Sequence, residues 1–257
     1  MKAQVLVTGR FFPRLASTVT LLESRGRRVL VDSGVGEDAP RLIRALADRG
    51  LEPKDVDTVI STHLHYDHCG NHLLFANARY LVSAEDYRDA AAFTETYLTD
   101  RSPDKCLTVE ALRRRSEAIK PFYLRAIVRE MERNIAFYDR VLTGDPRFTL
   151  LIGRQWITNE IEIVPSPGHT PGHLSVVAHG ARVGPDGDPT DLLIAGDALA
   201  SRNTLALGGD REVDLAADVR QYRRTRFALV NGFRYIIPGH DTVLDTGAAV
   251  PLEAAVA

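Results

Sequence analysis

The chain has little cysteine, almost no net charge and no long apolar run. Its two cysteines, Cys69 and Cys106, are too few for a disulfide framework, so we expect a reducing, cytoplasmic setting. No apolar stretch approaches the roughly 20 residues of a transmembrane helix, and the first residues lack the apolar core of a secretory signal. We therefore expect no membrane association. The formal net charge of −2 leaves no basic footprint, which argues against nucleic-acid binding.

What the sequence does contain is enough apolar material for one large domain. Apolar residues make up 44% of the 257 positions, so we predict a single domain over 1–257 with a sizeable core. There is no internal repeat and no low-complexity segment. A Gly-x-Ser-x-Gly nucleophile motif is also absent, which excludes that type of serine hydrolase.

The most informative stretch is His-Leu-His-Tyr-Asp-His at 63–68, directly after a strand-like apolar run. Three imidazoles and a carboxylate within six positions suit Zn²⁺, Mn²⁺ or Fe²⁺, and packing alone does not require them. His63 and His65 have the same parity on an extended chain and can converge on one ion. Asp67 and His68 lie beyond them and can serve a second ion. The stretch therefore predicts a two-metal site, and such sites typically catalyse hydrolysis.

Further candidate ligands follow later in the chain. His169 and His240 each end a Pro-Gly-His segment after a strand-like run, so each is expected on a loop at a strand end. Asp197 follows a buried-looking strand and Gly196. Cys69 is predicted to be a small buried residue beside the site. The remaining histidines of interest are predicted to support the site or to lie at the surface rather than to bind metal: His72, His173 and His179.

The order of these motifs resembles that of the metallo-β-lactamase superfamily, and is nearest in pattern to its lactonase and glyoxalase II-like members. The resemblance covers nearly the whole chain, from Val-Asp-Ser-Gly at 31–34 to the last Pro-Gly-His. It implies an αββα sandwich of the α/β class with the site along one edge. It implies one metal held by His63, His65 and His169, a second held by Asp67, His68 and His240, and Asp197 bridging the two together with a hydroxide.

The same resemblance assigns two supporting roles. Asp32, in the Asp-Ser-Gly element, would orient ligands from behind, and Asp67 would also act as a proton acceptor or shuttle. The two divalent ions are expected to be Zn²⁺, with Fe²⁺ or Mn²⁺ as alternatives. Acyl-homoserine lactonases, which resemble this chain in size, carry a tyrosine three residues after the bridging aspartate. This chain has Ala200 there.

Hydrophobic periodicity predicts alternating strands and helices. A helix over 39–49 would end at Gly50, and another would begin at Ala84. Several short strands are expected between 148 and 179. The other predicted elements are strands over 3–8, 17–23, 28–32, 57–61, 79–83, 191–196 and 234–237, and a helix over 211–229.

A helical insertion is predicted over about 85–145, between two ligand motifs. Three arrangements remain open for it: a lid over the site, a homodimer surface, or a helical pair packed away from the chemistry. Ten basic and six acidic residues between 101 and 140 give it an excess of positive charge, which would favour an anionic small-molecule substrate. A solvated helix face is the simpler explanation of that charge.

The function predicted from these features is metal-dependent hydrolysis of a small ester, lactone or thioester. The attacking group would be a hydroxide bound by both metals. One alternative is a mononuclear non-haem iron dioxygenase of the persulfide type. Others are a phosphodiesterase or RNA-processing hydrolase of the same superfamily, and a non-catalytic relative that serves as a binding module.

Overall fold

The computed structural model describes residues 1–11, 15–100, 139, 144–182, 188–204 and 216–247. The first part of the chain contributes these elements: β1 (Lys2–Val7), β2 (Val19–Ser24), β3 (Arg27–Val31), α1 (Ala39–Ala47), β4 (Thr58–Ile60), α2 (Tyr66–Cys69), β5 (Arg79–Ser83) and α3 (Ala84–Asp100). The second part contributes β6 (Phe148–Leu151), β7 (Gln155–Thr158), β8 (Ile161–Pro165), β9 (Leu174–Arg182), β10 (Pro189–Gly196), α4 (Val219–Gly232), β11 (Tyr235–Pro238) and β12 (Leu244–Asp245).

All twelve strands are hydrogen-bonded into one sheet, which divides into two halves of six strands at its weakest pairing. The first half, called here the first sheet, has the order β1-β2-β3-β4-β5-β6, and the other half, called the second sheet, has the order β7-β8-β9-β10-β11-β12. Strands β3 to β6 are parallel neighbours, as are β10 and β11. A single parallel pair, Lys2 with Arg182, joins β1 to β9. The carboxyl ends of β3 and β4, and of β10 and β11, can therefore present their loops at one edge.

Four layers follow from the way neighbouring residues on a strand face opposite sides. On β2, Leu22 belongs to the core between the sheets, whereas Leu21 packs into the core beneath α1. On β9, Val176 faces the core between the sheets, and Val177 faces the core shared with residues of α4. Adjacent buried apolar residues, Leu21-Leu22 on β2 and Val176-Val177 on β9, therefore cover both faces of these strands. The predicted αββα sandwich is confirmed.

The boundaries of helix α1 follow from residues in its first turn and directly after its last turn. Leu42 and Leu46 form its buried face, and a proline lies in its first turn. After the helix, the Leu51 N–H donates to Leu46 O at 3.1 Å and the Gly50 N–H donates to Ala47 O at 2.9 Å. Gly50 has a φ of +71°, so it is the left-handed residue of a Schellman motif. The helix ends at Ala47, two residues before the predicted end at 49, and Gly50 lies in the turn that terminates it, as predicted.

The start of helix α4 differs from the prediction. The expected helix over 211–229 is observed as Val219–Gly232, and residues 211–215 lie outside the described residues. Asp218 begins the helix because its side chain accepts the Gln221 N–H at 3.0 Å, which is an N-cap bond. For the seven strands predicted with explicit bounds, each observed end lies within two residues of the predicted one.

The predicted insertion is described only at its beginning and end. Helix α3 starts at Ala84 as predicted and extends to Asp100. Residues 101–138 and 140–143 lie outside the described residues, so the prediction of a lid or of further helices is not tested. The described ranges give no support for a homodimer. Within them, no helix is both long and apolar enough to cross a membrane.

Candidate metal centre

The first ligand motif lies where β4 leaves the sheet. His63 and His65 lie on the extended segment after Ile60, and the chain then turns into α2, which carries Asp67 and His68. His68 and Asp67 are almost fully buried, at 0% and 2% exposure. The switch from extended chain to helix within this motif is what gives its side chains two different directions.

Three histidines form the first half of the centre. His63, His65 and His169 bring their rings together, with centroids 4.4 to 4.9 Å apart. His169 Nε2 lies 3.1 Å from His65 Nδ1. One nitrogen from each of the three lies within 4.8 Å of the others, which is the spacing of a set that can hold a metal ion.

The second half of the centre combines a carboxylate with two imidazoles. Asp67 Oδ2 lies 3.6 Å from His68 Nε2 and 3.6 Å from His240 Nε2. These three side chains also form a set with metal-ligand spacing. His240 arrives from the loop after β11, which is far from α2 in sequence but lies at the same edge of the sandwich.

Asp197 lies between the two halves. Its Oδ2 is 3.4 Å from His169 Nε2 in the first half, and its Oδ1 is 3.4 Å from His68 Nε2 in the second. Both oxygens lie 3.2 Å from His240 Nε2. The Asp197 carboxylate therefore contacts both halves of the centre. The structure brings together all seven side chains singled out in the sequence, and the bridging role of Asp197 stays a prediction.

The donor set contains buried polar atoms that a metal ion would satisfy. Four of its buried atoms have no hydrogen-bond partner among the described residues: His63 Nε2, Asp67 Oδ2, His68 Nε2 and Asp197 Oδ1. A buried polar atom without a partner costs about 1–3 kcal/mol, so four in one place are costly unless a ligand satisfies them. All four converge on the centre. Nitrogen and oxygen donors in this ratio suit Zn²⁺, Fe²⁺ or Mn²⁺.

Asp32 supports this centre from behind, as predicted. Its Oδ2 accepts a hydrogen bond from His68 Nδ1 at 2.8 Å and from the Thr62 hydroxyl at 2.8 Å. Its Oδ1 accepts the Thr62 backbone N–H at 2.8 Å. The contact with Nδ1 leaves Nε2 of His68 facing the centre, which is how an outer carboxylate fixes an imidazole tautomer.

A backbone contact that sequence reasoning missed performs the same task for His240. Its Nδ1 donates to Ala16 O at 2.8 Å, across 224 positions of sequence. The loop between β1 and β2 is held there because the Ser17 N–H donates to Asp67 O and the Thr18 N–H donates to Gly239 O. No side-chain type marks a carbonyl acceptor, so the sequence carries no signal for it.

Burial and charge divide the histidines into two groups. Burial lowers the pKa of His63 and His169 well below its ordinary value. Burial alone would also lower the pKa of His68 and His240, but the Asp197 carboxylate, with Asp67 nearby, raises both above the ordinary value. Burial opposes ionisation of Asp197, yet His240, His68 and His169 lower its pKa well below the usual range.

The other three histidines lie where the sequence predicted, outside the donor set. His72 is buried between the hydroxyls of Ser33 and Ser61, at 2.7 and 2.8 Å. His173 is buried as well, and its Nε2 accepts the backbone N–H of Asp197 at 3.1 Å. His179 bridges Glu162 and Asp191 beneath Trp156, away from the centre.

Cys69 is fully buried, as predicted. Its Sγ donates weakly to His65 O at 3.2 Å, and the thiol is not part of any donor group found among the described residues. It therefore packs against the backbone of the ligand segment rather than adding an eighth donor.

Comparison with known proteins settles the family. The family model described as the metallo-beta-lactamase superfamily matches residues 12–240. The chain belongs to this superfamily. An N-acyl homoserine lactonase from a Bacillus species is 24% identical over 90% of this chain and 83% of its own length. The match to the family model begins within the β1–β2 loop and ends at His240, so it spans all seven donors.

Two solved structures share the fold. A metallo-beta-lactamase family protein from Thermus thermophilus has a TM-score of 0.62 and 20% identity, covering 98% of this chain and 76% of its own. AidC, described as a dizinc quorum-quenching lactonase in complex with a product, has a TM-score of 0.59 and 16% identity, covering 87% and 72%. The predicted family, fold and metallo-hydrolase class are confirmed, while the cytoplasmic location stays a prediction.

Proposed function

We propose that this superfamily member is a two-metal hydrolase of small lactones, with related esters and thioesters as further substrates. The observation that carries the proposal is the position of Asp197, whose carboxylate contacts His169 in one half of the donor set and His68 and His240 in the other. Four unpartnered buried donor atoms at the same point support it. An arrangement with only one metal would leave half of these donors without a function.

In this proposal each half of the centre holds one divalent ion, most suitably Zn²⁺. His63, His65 and His169 would hold the first ion, Asp67, His68 and His240 the second, and Asp197 both. When bound, two such ions supply an ionised water at neutral pH and polarise the oxygen of a carbonyl substrate.

Asp67 is the proposed proton carrier. Its Oδ2 is buried, lies between His68 and His240, and has no hydrogen-bond partner in the part of the chain that is described. Asp67 would accept the proton lost by the attacking water and return it to the leaving oxygen as the ring opens. Asp32 and Ala16 O would hold His68 and His240 in the required orientation while this occurs.

The proposed substrate class rests on the relatives. A Bacillus N-acyl homoserine lactonase matches most of this chain, and AidC provides a second lactonase with the same fold. Ala200 is the position where a lactonase tyrosine would be expected, and its buried methyl group offers no hydrogen bond to a substrate. We therefore include simple esters and thioesters with lactones rather than one acyl-homoserine lactone.

Metal analysis and a substrate panel test this function together. We expect two divalent metal ions per chain, and turnover of N-acyl homoserine lactones, other lactones or thioesters rather than phosphodiesters. Asp197→Asn should reduce the metal content and lower kcat/KM by about 100-fold or more. Asp191→Asn is the matched control, because Asp191 lies toward the other end of β10 and, among the described residues, accepts hydrogen bonds only from His179 and Gly180.

Two outcomes would overturn the proposal. One iron per chain with oxygen consumption would establish the alternative dioxygenase chemistry. Metal-free protein that stays metal-free after incubation with Zn²⁺, Mn²⁺ or Fe²⁺ would point to a binding module. Full activity and metal content in folded Asp197→Asn, judged by circular dichroism, would contradict the bridging role.

A further inference from the structure

A buried carboxylate outside the donor set contacts the ligand loops. Asp86 lies in the first turn of α3 and is only 4% exposed. Its Oδ2 accepts the Thr170 hydroxyl at 3.0 Å, and its Oδ1 accepts the Gly172 N–H at 3.0 Å. The backbone N–H of Leu64 also hydrogen-bonds to this carboxyl group. All three donors are in loops, and none is in α3 itself.

These donors lie beside the ligands of one half of the centre only. Leu64 separates His63 from His65, and Thr170 directly follows His169. One carboxylate therefore connects the two loops that carry the three-histidine half. Among the described residues, Asp86 has no contact with the ligands of the other half, which are Asp67, His68 and His240.

The approach of the His169 loop to α3 is unusually close. A Cβ atom on Gly172 would lie 2.6 Å from Asp86 Oδ1 and 2.3 Å from Ser83 Oγ. Only glycine allows this backbone to reach the carboxylate without displacing it. The backbone of the His169 loop therefore contacts the Asp86 carboxylate directly.

A simple helix-capping role does not account for this residue. Ser83 already caps α3, because its hydroxyl accepts the Glu85 N–H at 3.1 Å. Glu85, exposed in the same turn, supplies the negative charge that favours a helix N-terminus. Burial, by contrast, raises the pKa of Asp86 to about 7. Because burying a carboxyl group is unfavourable unless it is hydrogen-bonded, we expect Asp86 to be kept there for its specific hydrogen bonds.

We propose that Asp86 is a positioning residue that fixes the three-histidine half of the metal centre by bonding to both of its ligand loops. This rests on the proposed two-metal function. Asp86 touches neither substrate nor metal in this proposal. It holds Leu64 and Thr170, and through them His63, His65 and His169, at the spacing that a metal requires. It also makes α3, the first helix of the insertion, part of the support for that half.

Stepwise metal titration of the full chain against a competing chelator tests this inference. Asp86→Asn keeps the shape of the side chain but presents an amide NH₂ to groups that donate. We expect one of the two binding steps to weaken by about 10- to 100-fold, with the other step within about threefold of the unaltered protein. With Co²⁺ as the probe, the visible spectrum of the weakened step should change. Glu85→Gln, one residue away and exposed, should leave both steps and the spectrum unaltered.

A second pair of variants keeps the test informative if Asp86→Asn folds poorly. Thr170→Val removes one hydroxyl donor and should weaken the same binding step, whereas Thr170→Ser restores the donor and the affinity. Equal weakening of both steps, or a loss of stability in metal-free protein with normal affinities, would show a merely structural role and overturn the inference. If the unaltered protein bound no metal at all, that result would overturn the proposed two-metal function, and with it the positioning role of Asp86.

Discussion

Gly239 approaches the Asp197 carboxylate so closely that a Cβ atom on residue 239 would lie 1.8 Å from Oδ1. That oxygen faces His68 and His240 and has no hydrogen-bond partner in the described ranges. The φ of Gly239 lies outside the left-handed region, so space rather than backbone conformation requires the glycine. The second Pro-Gly-His segment thus supplies two things, a donor and the room for the carboxylate between the halves.

Gly239→Ala should therefore disrupt the centre while leaving the fold intact. The added methyl group must displace Asp197 or the backbone, so we expect a loss of about 1–3 kcal/mol in the free energy of unfolding. We also expect metal binding to weaken by about tenfold or more, because Asp197 is displaced from its position between the two halves. Urea unfolding and metal titration measure the two effects.

Gly36→Ala is the control for that substitution. Among the described residues, a Cβ atom on residue 36 would have only Gly70 O within 4 Å, at an ordinary 3.7 Å, and the φ of Gly36 is not left-handed. Metal affinity in Gly36→Ala should stay near that of the unaltered protein. If Gly239→Ala bound metal equally well, the close approach to Asp197 would have no functional meaning.

Asp32→Asn should weaken the second half of the centre. Asp32 has a φ of +58°, a conformation that asparagine also tolerates, so the exchange changes charge without adding backbone strain. The amide can no longer orient His68 as strongly as the carboxylate does at 2.8 Å. We expect metal affinity to fall by about 10- to 100-fold in one binding step. Asp57→Asn, at an exposed carboxylate that accepts the Arg28 N–H, should leave both steps unchanged.

The donors were predictable because their residue types identify them. Histidine and aspartate at metal-ligand spacing are rare by chance, and the order of the motifs fixed which strand ends carry them. The layers have a similar signal: adjacent apolar residues, Leu21-Leu22 on β2 and Val176-Val177 on β9, indicate burial on both faces.

The supports of the donors were much harder to predict. Ala16 holds His240 through a carbonyl oxygen, which every residue has. Asp86 follows Ser83 in a Ser-x-x-Asp pattern that predicts an ordinary helix cap, and only the fold shows its carboxylate turned toward the ligand loops. The start of α4 was misplaced, although Asp218 and Gln221 carry a recognisable capping signal.

His72 should contribute to the acid sensitivity of the fold. Burial lowers the pKa of His72 to about 3, whereas an unfolded chain has a value near 6.5. Between those values the unfolded chain binds a proton that the folded chain does not, so stability falls as pH falls. From pH 7 to pH 5 this one residue accounts for about 2 kcal/mol.

The variant His72→Gln isolates that contribution. It should be less stable at pH 7, because it loses one of the two serine hydroxyl contacts, but its stability should fall about 2 kcal/mol less on acidification. Urea unfolding at both pH values, under identical metal conditions, provides the comparison. Parallel pH profiles for the two proteins would mean that His72 is protonated in the folded state as well.

Metal binding should release protons at neutral pH. Burial alone would lower the pKa of His68, but Asp197, Asp32 and Asp67 raise it well above the ordinary value, and the pKa of His240 is raised as well. Without metal, these imidazoles therefore hold protons where a cation must bind. We expect about one to two protons released per chain at pH 7, and an affinity that increases with pH.

Calorimetric titration in two buffers of different ionisation enthalpy measures this release. In Asp32→Asn the count should decrease, because removing one carboxylate beside His68 lowers its pKa toward the ordinary value. Asp57→Asn should release as many protons as the unaltered protein. Equal heats in both buffers would show that His68 and His240 are neutral before the metal binds. The carboxylates would then act on the metal directly and not through protonated histidines.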